Sequence, residues 1–484
     1  MSGGTPTPSH VSSFRDPGGA LVRSGDRLYR IVTAAAVPDL EAFLGSKLAH
    51  KLNEKKALPT TRRLSAEESA ELRRDEGFRS IYEAIGGAAV LEHERIGFPS
   101  FPYEWPAEML HAAAELTLDL ARWGLKEGIG LKDATPLNVI FRGPQPVFVD
   151  VLSFERRTPG DATWLPYAQF VRTFLLPLLA WKHFGLSPEQ ILTTRRDGLE
   201  PEEVYRWLSA AQRLRPPFLS LATLPAWLSK KKQANETAIY ERKPLGNAEK
   251  AQFILESLLN GLRRSLGRLR PPESARSTWS EYATQNSYSA EQAGTKQRFV
   301  TEALAARAPA TALDIGCNTG VFSRIAAQAG AAVVAIDYDP VVLGALWSAA
   351  AREGLNILPL TVNFGRPTPA TGWRNEEFPS FLERARGRFD AVLMLAVLHH
   401  LLVTERIPLD AVLATAAELT RDLLVIEFVG VDDPMFRKIA RGREGLHAGL
   451  TPESFEAAAA RHFRLERREK IEGSSRILYA YRKV

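Results

Sequence analysis

The chain has 484 residues, 45% of them apolar, and its 62 Lys and Arg against 56 Asp and Glu leave a net charge of +6. That length suits two to three domains of roughly 150 residues each, with apolar surface ample for buried cores. The basic excess is mild and forms no block, which argues against nucleic acid as the substrate; the longest compact apolar run, Phe174 to Trp181, is shorter than the ~20 residues of a membrane span and contains Pro177.

Residues 1–13 lack the basic-then-apolar pattern of a signal peptide and read as a disordered leader. The single cysteine, Cys317, allows no intrachain disulfide and no cysteine-based zinc site, in keeping with a cytoplasmic compartment. Gly18 to Val32 holds two short β-forming runs around Ser24, Gly25 and Asp26 and predicts a hairpin. Charged helical patterns follow over Glu41 to Ala57 and Ala66 to Ala84, then an extended connector from Val90 to Glu104, then a long helix from Pro106 to Glu127.

Lys132 to Glu155 reads KDATPLNVIFRGPQPVFVDVLSFE, in which two apolar runs flank Gly143, Pro144 and Pro146 and predict a second hairpin. Closing it with Phe141 opposite Val147 places Asn138 opposite Asp150, with Asp133 five residues before the asparagine. The order Asp, four residues, Asn, short hairpin, Asp resembles the catalytic loop and metal-binding aspartate of the protein-kinase-like phosphotransferases, including the aminoglycoside and choline kinase branch. The resemblance implies an α+β kinase-like domain over 14–275. Asp133 would accept the proton of an attacking hydroxyl, and Asn138 and Asp150 would hold Mg2+ on the phosphates of ATP. The departures are specific: Lys132 stands before the aspartate, Val151 follows Asp150, and no GxGxxG loop is present. Arg30 is the one substitute for the missing phosphate-binding lysine. A working phosphotransferase, a module that has lost that activity, and a polar hairpin with incidental acids all stay open.

Trp164 to Leu269 is helical in pattern, broken at residues 216–218 and at 230–233, KKKQ, whose lysine run reads as a solvated loop. Apolar content drops over Gly267 to Thr278 and marks an interdomain linker. From Trp279 to Ala303 a helical lead-in carries Tyr282, Tyr288 and Lys296. Ala312 to Gly320, ALDIGCNTG, then reads as a buried strand, a glycine turn and a helix start. Such a turn makes a cradle for the polar part of a ligand, because backbone N–H groups converge there and no Cβ blocks approach.

This stretch resembles the first motif of the class I S-adenosylmethionine (SAM)-dependent methyltransferases, an acid, an apolar residue and GxGxG, with Asn318 in place of the middle glycine. A dinucleotide fingerprint, GxGxxG, fits the spacing worse. The resemblance implies a doubly wound α/β domain over 276–484 that binds SAM through Asp314, Gly316, Asn318 and Gly320. Asp337, at the end of the strand from Ala332, would take the ribose hydroxyls. Asn363 and Phe364 would meet the adenine, and Tyr288 would fold over the cofactor. Further strands are predicted at Ile357 to Val362, Phe389 to Leu395 and Leu423 to Phe428. After the fourth strand come His399 and His400, about 100° apart on a helical start, either of which could take a proton near neutral pH. Glu427 could line the substrate cleft, and basic residues from Pro434 to Arg443 could meet an acidic substrate. Only EGSS separates two C-terminal strands, so they must pair antiparallel.

DIGCNTG, TVNFGRPTPATGW, LAVLHHL and VIEFVGVDDPMF together resemble bacterial methyltransferases related to nodulation proteins. The expectation is a SAM-dependent methyltransferase acting on a small-molecule or glycan-related acceptor. The alternatives are a bifunctional kinase and methyltransferase, or a scaffold built from two degenerate enzyme folds.

Overall fold

The computed structural model describes residues 9–10, 15–231, 245–272 and 289–484 and divides into two compact units. The first comprises Met1–Tyr103, Ala107–Pro271 and Gly372–Glu377, and the second comprises the remainder. Tyr282, Tyr288 and the side chains of the lysine run lie outside the described residues, as does the second half of the expected linker, 273–278.

In the first unit, strands β1 (Ser9–His10), β2 (Gly19–Ser24), β3 (Arg27–Thr33), β4 (Thr61–Arg63) and β5 (Gly87–His93) form one antiparallel sheet in the order β1-β2-β3-β5-β4. The β2–β3 hairpin closes with Ser24 opposite Arg27, and Gly25 takes the positive φ that so short a loop requires. Each of the two charged helices expected here is in fact two: Val37–Leu44 with Lys47–Glu54, and Ala66–Leu72 with Glu76–Ala84. The breaks fall where Ser46 and Asp75 accept backbone N–H bonds from Ala49 and Phe78, because a local side-chain cap competes with the continuing helix.

The long helix Ala107–Leu125 follows, and then a pair that the sequence did not announce, β6 (Ile129–Leu131) with β9 (Phe154–Arg156). Between these lie β7 (Val139–Arg142) and β8 (Gln145–Phe148). Here the expected register is corrected by one residue. Gly143 adopts φ +55° and closes a two-residue turn with Pro144, so Phe141 faces Pro146 rather than Val147. Asn138 is therefore joined to Val149, whose N–H donates to its carbonyl at 2.8 Å, and Asp150 lies one step further on. Since side chains alternate along a strand, a one-residue slip is enough to undo the expected facing pair.

The second unit is built on seven strands: β10 (Thr311–Ile315), β11 (Ala332–Asp337), β12 (Ile357–Thr361), β13 (Phe389–Met394), β14 (Thr420–Phe428), β15 (Phe463–Lys470) and β16 (Ile477–Lys483). Their order is β12-β11-β10-β13-β14-β16-β15; the first five are parallel and β16 and β15 are antiparallel. The five parallel strands read as near-continuous apolar runs because helices cover both faces of such a sheet. Leu313, Ile315, Ala335, Ile336, Val392 and Leu424 are all fully buried, and each large apolar side chain contributes about 1.5–3 kcal/mol.

The chain runs outward from β10 through β11 to β12 and then returns to the other side of β10 with β13. That reversal opens a crevice beyond the carboxyl ends of β10, β11 and β13, the place where open α/β sheets bind ligands. Among the described residues no helix is long and apolar enough to cross a membrane.

Candidate active site

The turn after β10 is tied to its neighbour strand. The N–H groups of Gly316 and Cys317 donate to the Ile336 carbonyl at 2.8 and 3.1 Å, and Gly316 holds φ +71°. Asn318, in the position of the family's middle glycine, sits at φ +48°, and its own Oδ1 accepts the Thr319 N–H at 2.7 Å. Such local hydrogen bonding is what lets Asn occupy the left-handed region. Asn318 also donates its backbone N–H to Asp337 Oδ2 at 3.0 Å, while the N–H of Asp339 binds Oδ1 at 3.0 Å. The Asp337 carboxylate is thus clamped between two backbone donors at the end of β11. Burial raises its pKa, and hydrogen bonds from backbone N–H groups pull in the opposite direction.

A cavity of about 530 Å³ opens at this point. Its walls include Gly316, Asn318, Asp337, Asn363, Phe364 and His400. A Cβ on Gly316 would lie 3.1 Å from Val397, so the missing side chain keeps this wall open. Asn363 uses its Oδ1 to accept the N–H of Gly365 at 2.8 Å, which fixes the side chain where β12 ends.

Two expected ligand residues serve the turn from behind instead. Asp314 is 1% exposed and accepts the Ser323 hydroxyl at 2.6 Å, and burial pushes its carboxyl up to about 7. Neither it nor Gly320 is on the cavity wall. Gly320 has φ +80°, and a Cβ there would come within 2.3 Å of Leu346, so this glycine admits the packing of the Pro340–Glu353 helix.

The histidines divide the work as their angular offset implied. His400 lines the cavity, whereas His399 is 2% exposed and absent from the wall, with the two rings 4.3 Å apart. Burial lowers the pKa of both, further for His399, where His400 and Lys296 add to the effect. Both imidazoles are therefore neutral near pH 7. Lys296 does reach the cavity wall. Glu427, expected to line the cleft, is fully buried behind it, bound by Lys296 at 2.7 Å and Arg476 at 3.2 Å. Arg476 also grips Asp433, the N-cap of the Pro434–Ala440 helix, at 2.7 Å.

Sequence reasoning missed Tyr338, Ala396 and Ile439 on the same wall. Ala396 stands just past β13 at φ +54°, a strained position for a residue with a Cβ.

In the first unit, Asp133 is exposed and accepts a bond from Gln169 Nε2 at 3.3 Å. Asn138 and Asp150 do not face one another; Ser153 joins them, its Oγ accepting from Asn138 Nδ2 at 3.0 Å and donating to Asp150 Oδ2 at 2.5 Å. Arg30, 8% exposed, binds Asp150 Oδ1 at 3.1 Å and Asp16 Oδ2 at 2.9 Å with one guanidinium nitrogen. A protein cation thus already stands between the two carboxylates. Among the described residues no group of three or more His, Cys, Asp or Glu could hold a metal ion.

Residues 288–470 match a family model described as a methyltransferase domain. Over 98% of its length the chain is 31% identical to the nodulation protein NoeA of Rhizobium meliloti (strain 1021), 96% of which is covered. Among solved structures, the N-methyltransferase NodS of Bradyrhizobium japonicum WM9 is 16% identical, with 40% of this chain and 96% of that one covered and a TM-score of 0.30. The bifunctional kinase-methyltransferase WbdD is 17% identical, with 42% of this chain and 41% of that one covered and a TM-score of 0.30.

Proposed function

For a chain that belongs to the NoeA family of nodulation proteins and is a SAM-dependent methyltransferase, we propose that the cleft at β10, β11 and β13 transfers a methyl group to a small, polar, glycan-related acceptor. The observation that carries this reading is the Asp337 carboxylate, held at the cleft wall by the N–H groups of Asn318 and Asp339 beside a glycine with no side chain.

The residues present suit the cofactor. A carboxylate has about four lone-pair directions, so two backbone bonds leave Asp337 able to accept from a ribose diol. Gly316 leaves room for the methionine portion, and Asn363 and Phe364 would meet the adenine. Tyr288 would close over it with Lys296. SAM supplies a methyl group already activated on a positively charged sulfur. What the chain must add is alignment of the acceptor, exclusion of water, and a place for a proton when the nucleophile carries one. His400, neutral and on the cleft wall, would take that proton. Arg366, Thr404 and Glu405 give the mouth a polar lining suited to a hydroxylated or amino acceptor.

The domain over 14–275 reads best as a kinase-like module without phosphotransfer, and 276–484 as the methyltransferase. Supporting this, Arg30 pairs with Asp150, the acid a metal would need, as well as with Asp16. A bifunctional reading, with Asp133 as base and Asn138 and Asp150 on Mg2+ and ATP, draws on the Asn138–Ser153–Asp150 chain. Mg2+-dependent ATP binding lost in Asp150→Ala would favour it. A scaffold without either activity would show neither ligand. The lone cysteine accords with a cytoplasmic setting.

Native mass spectrometry of the purified protein tests the main reading: retained SAM or S-adenosylhomocysteine is expected, and Asp337→Ala should retain none. Equal retention by the variant would remove Asp337 from the site.

A further inference from the structure

A second cavity, of about 890 Å³, shares two walls with the cofactor cleft. One wall is the π-helical turn His400–Thr404 and the residues after it. His400, Leu401, Thr404 and Glu405 face the cleft, whereas Leu402, Val403, Arg406 and Ile407 face the second cavity. The other is the Pro434–Ala440 helix, whose Ile439 lines the cleft and whose Ala440 lines the second cavity. Of the residues named above for cofactor, proton transfer or acceptor, only Arg443, from the basic stretch expected to meet an acidic substrate, lines this second space.

Its lining is chemically divided. The floor is apolar, with Leu402, Ile407, Leu409, Leu450 and Ala458. The rim carries Arg406, Arg443, Arg461 and His447 against a single acid, Asp410, which pairs with Arg461 at 2.9 Å. Arg443 spends its Nε on the Ala440 carbonyl at 3.3 Å. Arg406 has no hydrogen bond or ion pair among the described residues, and it holds φ +57° where the turn ends and the Ile407 N–H returns to the Leu401 carbonyl. Helix ends of this kind favour glycine, because any Cβ is strained there. The Arg406 guanidinium, exposed and without an ion pair among the described residues, stands at the rim of an apolar hollow.

We propose that this cavity binds an anionic amphiphile: an alkyl or aryl body on the apolar floor, with a phosphate or carboxylate head held by Arg406 and Arg443. The floor favours the apolar body by burial, and guanidinium groups favour a planar or tetrahedral oxyanion head through charge-assisted bonds. The site is separate from the cofactor cleft and does not depend on which acceptor is methylated.

Titration calorimetry on the full chain tests it with four probes: octyl phosphate, octanoate, octanol and inorganic phosphate. Saturable binding of octyl phosphate or octanoate is expected, and whichever binds tighter identifies the head group. Octanol and inorganic phosphate should bind at least about tenfold more weakly. The double variant Arg406→Gln/Arg443→Gln should weaken the amphiphile by at least about tenfold and leave S-adenosylhomocysteine affinity unchanged. Ala457→Trp, which fills the hollow from an exposed position on its wall, should abolish amphiphile binding with the arginines intact. Equal affinity in wild type and the double variant would overturn the proposal. So would displacement of the amphiphile by S-adenosylhomocysteine, or inorganic phosphate binding as tightly as octyl phosphate.

Discussion

Asp337 in the second unit is the last residue of its β-strand and Asp150 in the first lies two residues past one, and both were expected to bind a ligand. Their surroundings differ in kind. Asp337 is oriented by two backbone N–H groups, which hold it in place without cancelling its charge, on the wall of an open cavity. Asp150 is met by the Arg30 guanidinium and the Ser153 hydroxyl, so its charge is compensated by the protein itself. A ligand site needs polar groups that are positioned yet unsatisfied. The first acid meets that condition, and the second has had it removed by an internal cation.

The largest way to break this contrast is to disturb the turn that creates the cleft. Gly320→Ala combines a left-handed backbone with a Cβ driven into Leu346, and should cost the second unit about 2–4 kcal/mol, read by denaturant unfolding. A neutral outcome would mean that the turn can yield. Next, Asp337→Ala should weaken S-adenosylhomocysteine about 30- to 100-fold by calorimetry, since it removes charge-assisted bonds to a diol.

Arg30→Gln sharpens the other half. It leaves two partly buried carboxylates facing each other and should destabilise the first unit by about 1–2 kcal/mol. Millimolar Ca2+ should restore the variant in a thermal shift assay and leave wild type unmoved. If Ca2+ shifts both equally, Arg30 is not standing in for a metal.

The smallest effect concerns Asp314. Its folded pKa, about 7, lies above the ordinary value of 3.8, so the stability it confers is full below about pH 4 and is lost as pH rises through 7. Ser323→Ala removes the hydroxyl that favours the ionised form. The variant should match wild type near pH 5 and fall below it by about 1 kcal/mol at pH 8. A deficit that is the same at both pH values would contradict the assignment.

Much of the second unit was legible because its signals are local. The parallel strands are short apolar runs, and Asp314 to Gly320 places an acid, a turn and a helix start in consecutive positions. The spacing of His399 and His400 separated one wall residue from one buried residue, though not which was which. Legibility failed wherever a partner was distant or a local choice outweighed the pattern. Gly320 answers to Leu346, and Glu427 to Lys296 and Arg476, none of them near in sequence. Ser46 and Asp75 split helices whose charge patterns run through them, and the left-handed Gly143 shifted a hairpin by one residue. Tyr338, Ala396 and Ile439 come together only because three separate elements end at one crevice.

Under the proposed function, Asp337 is the acid that meets the cofactor and Asp150 is one that does not. Parallel calorimetric titrations of S-adenosylhomocysteine into wild type, Asp337→Asn and Asp150→Asn test this most directly. Affinity should fall by at least about tenfold in the first variant and stay at the wild-type value in the second. Wild-type affinity in Asp337→Asn, or no binding to the unaltered chain, would contradict it.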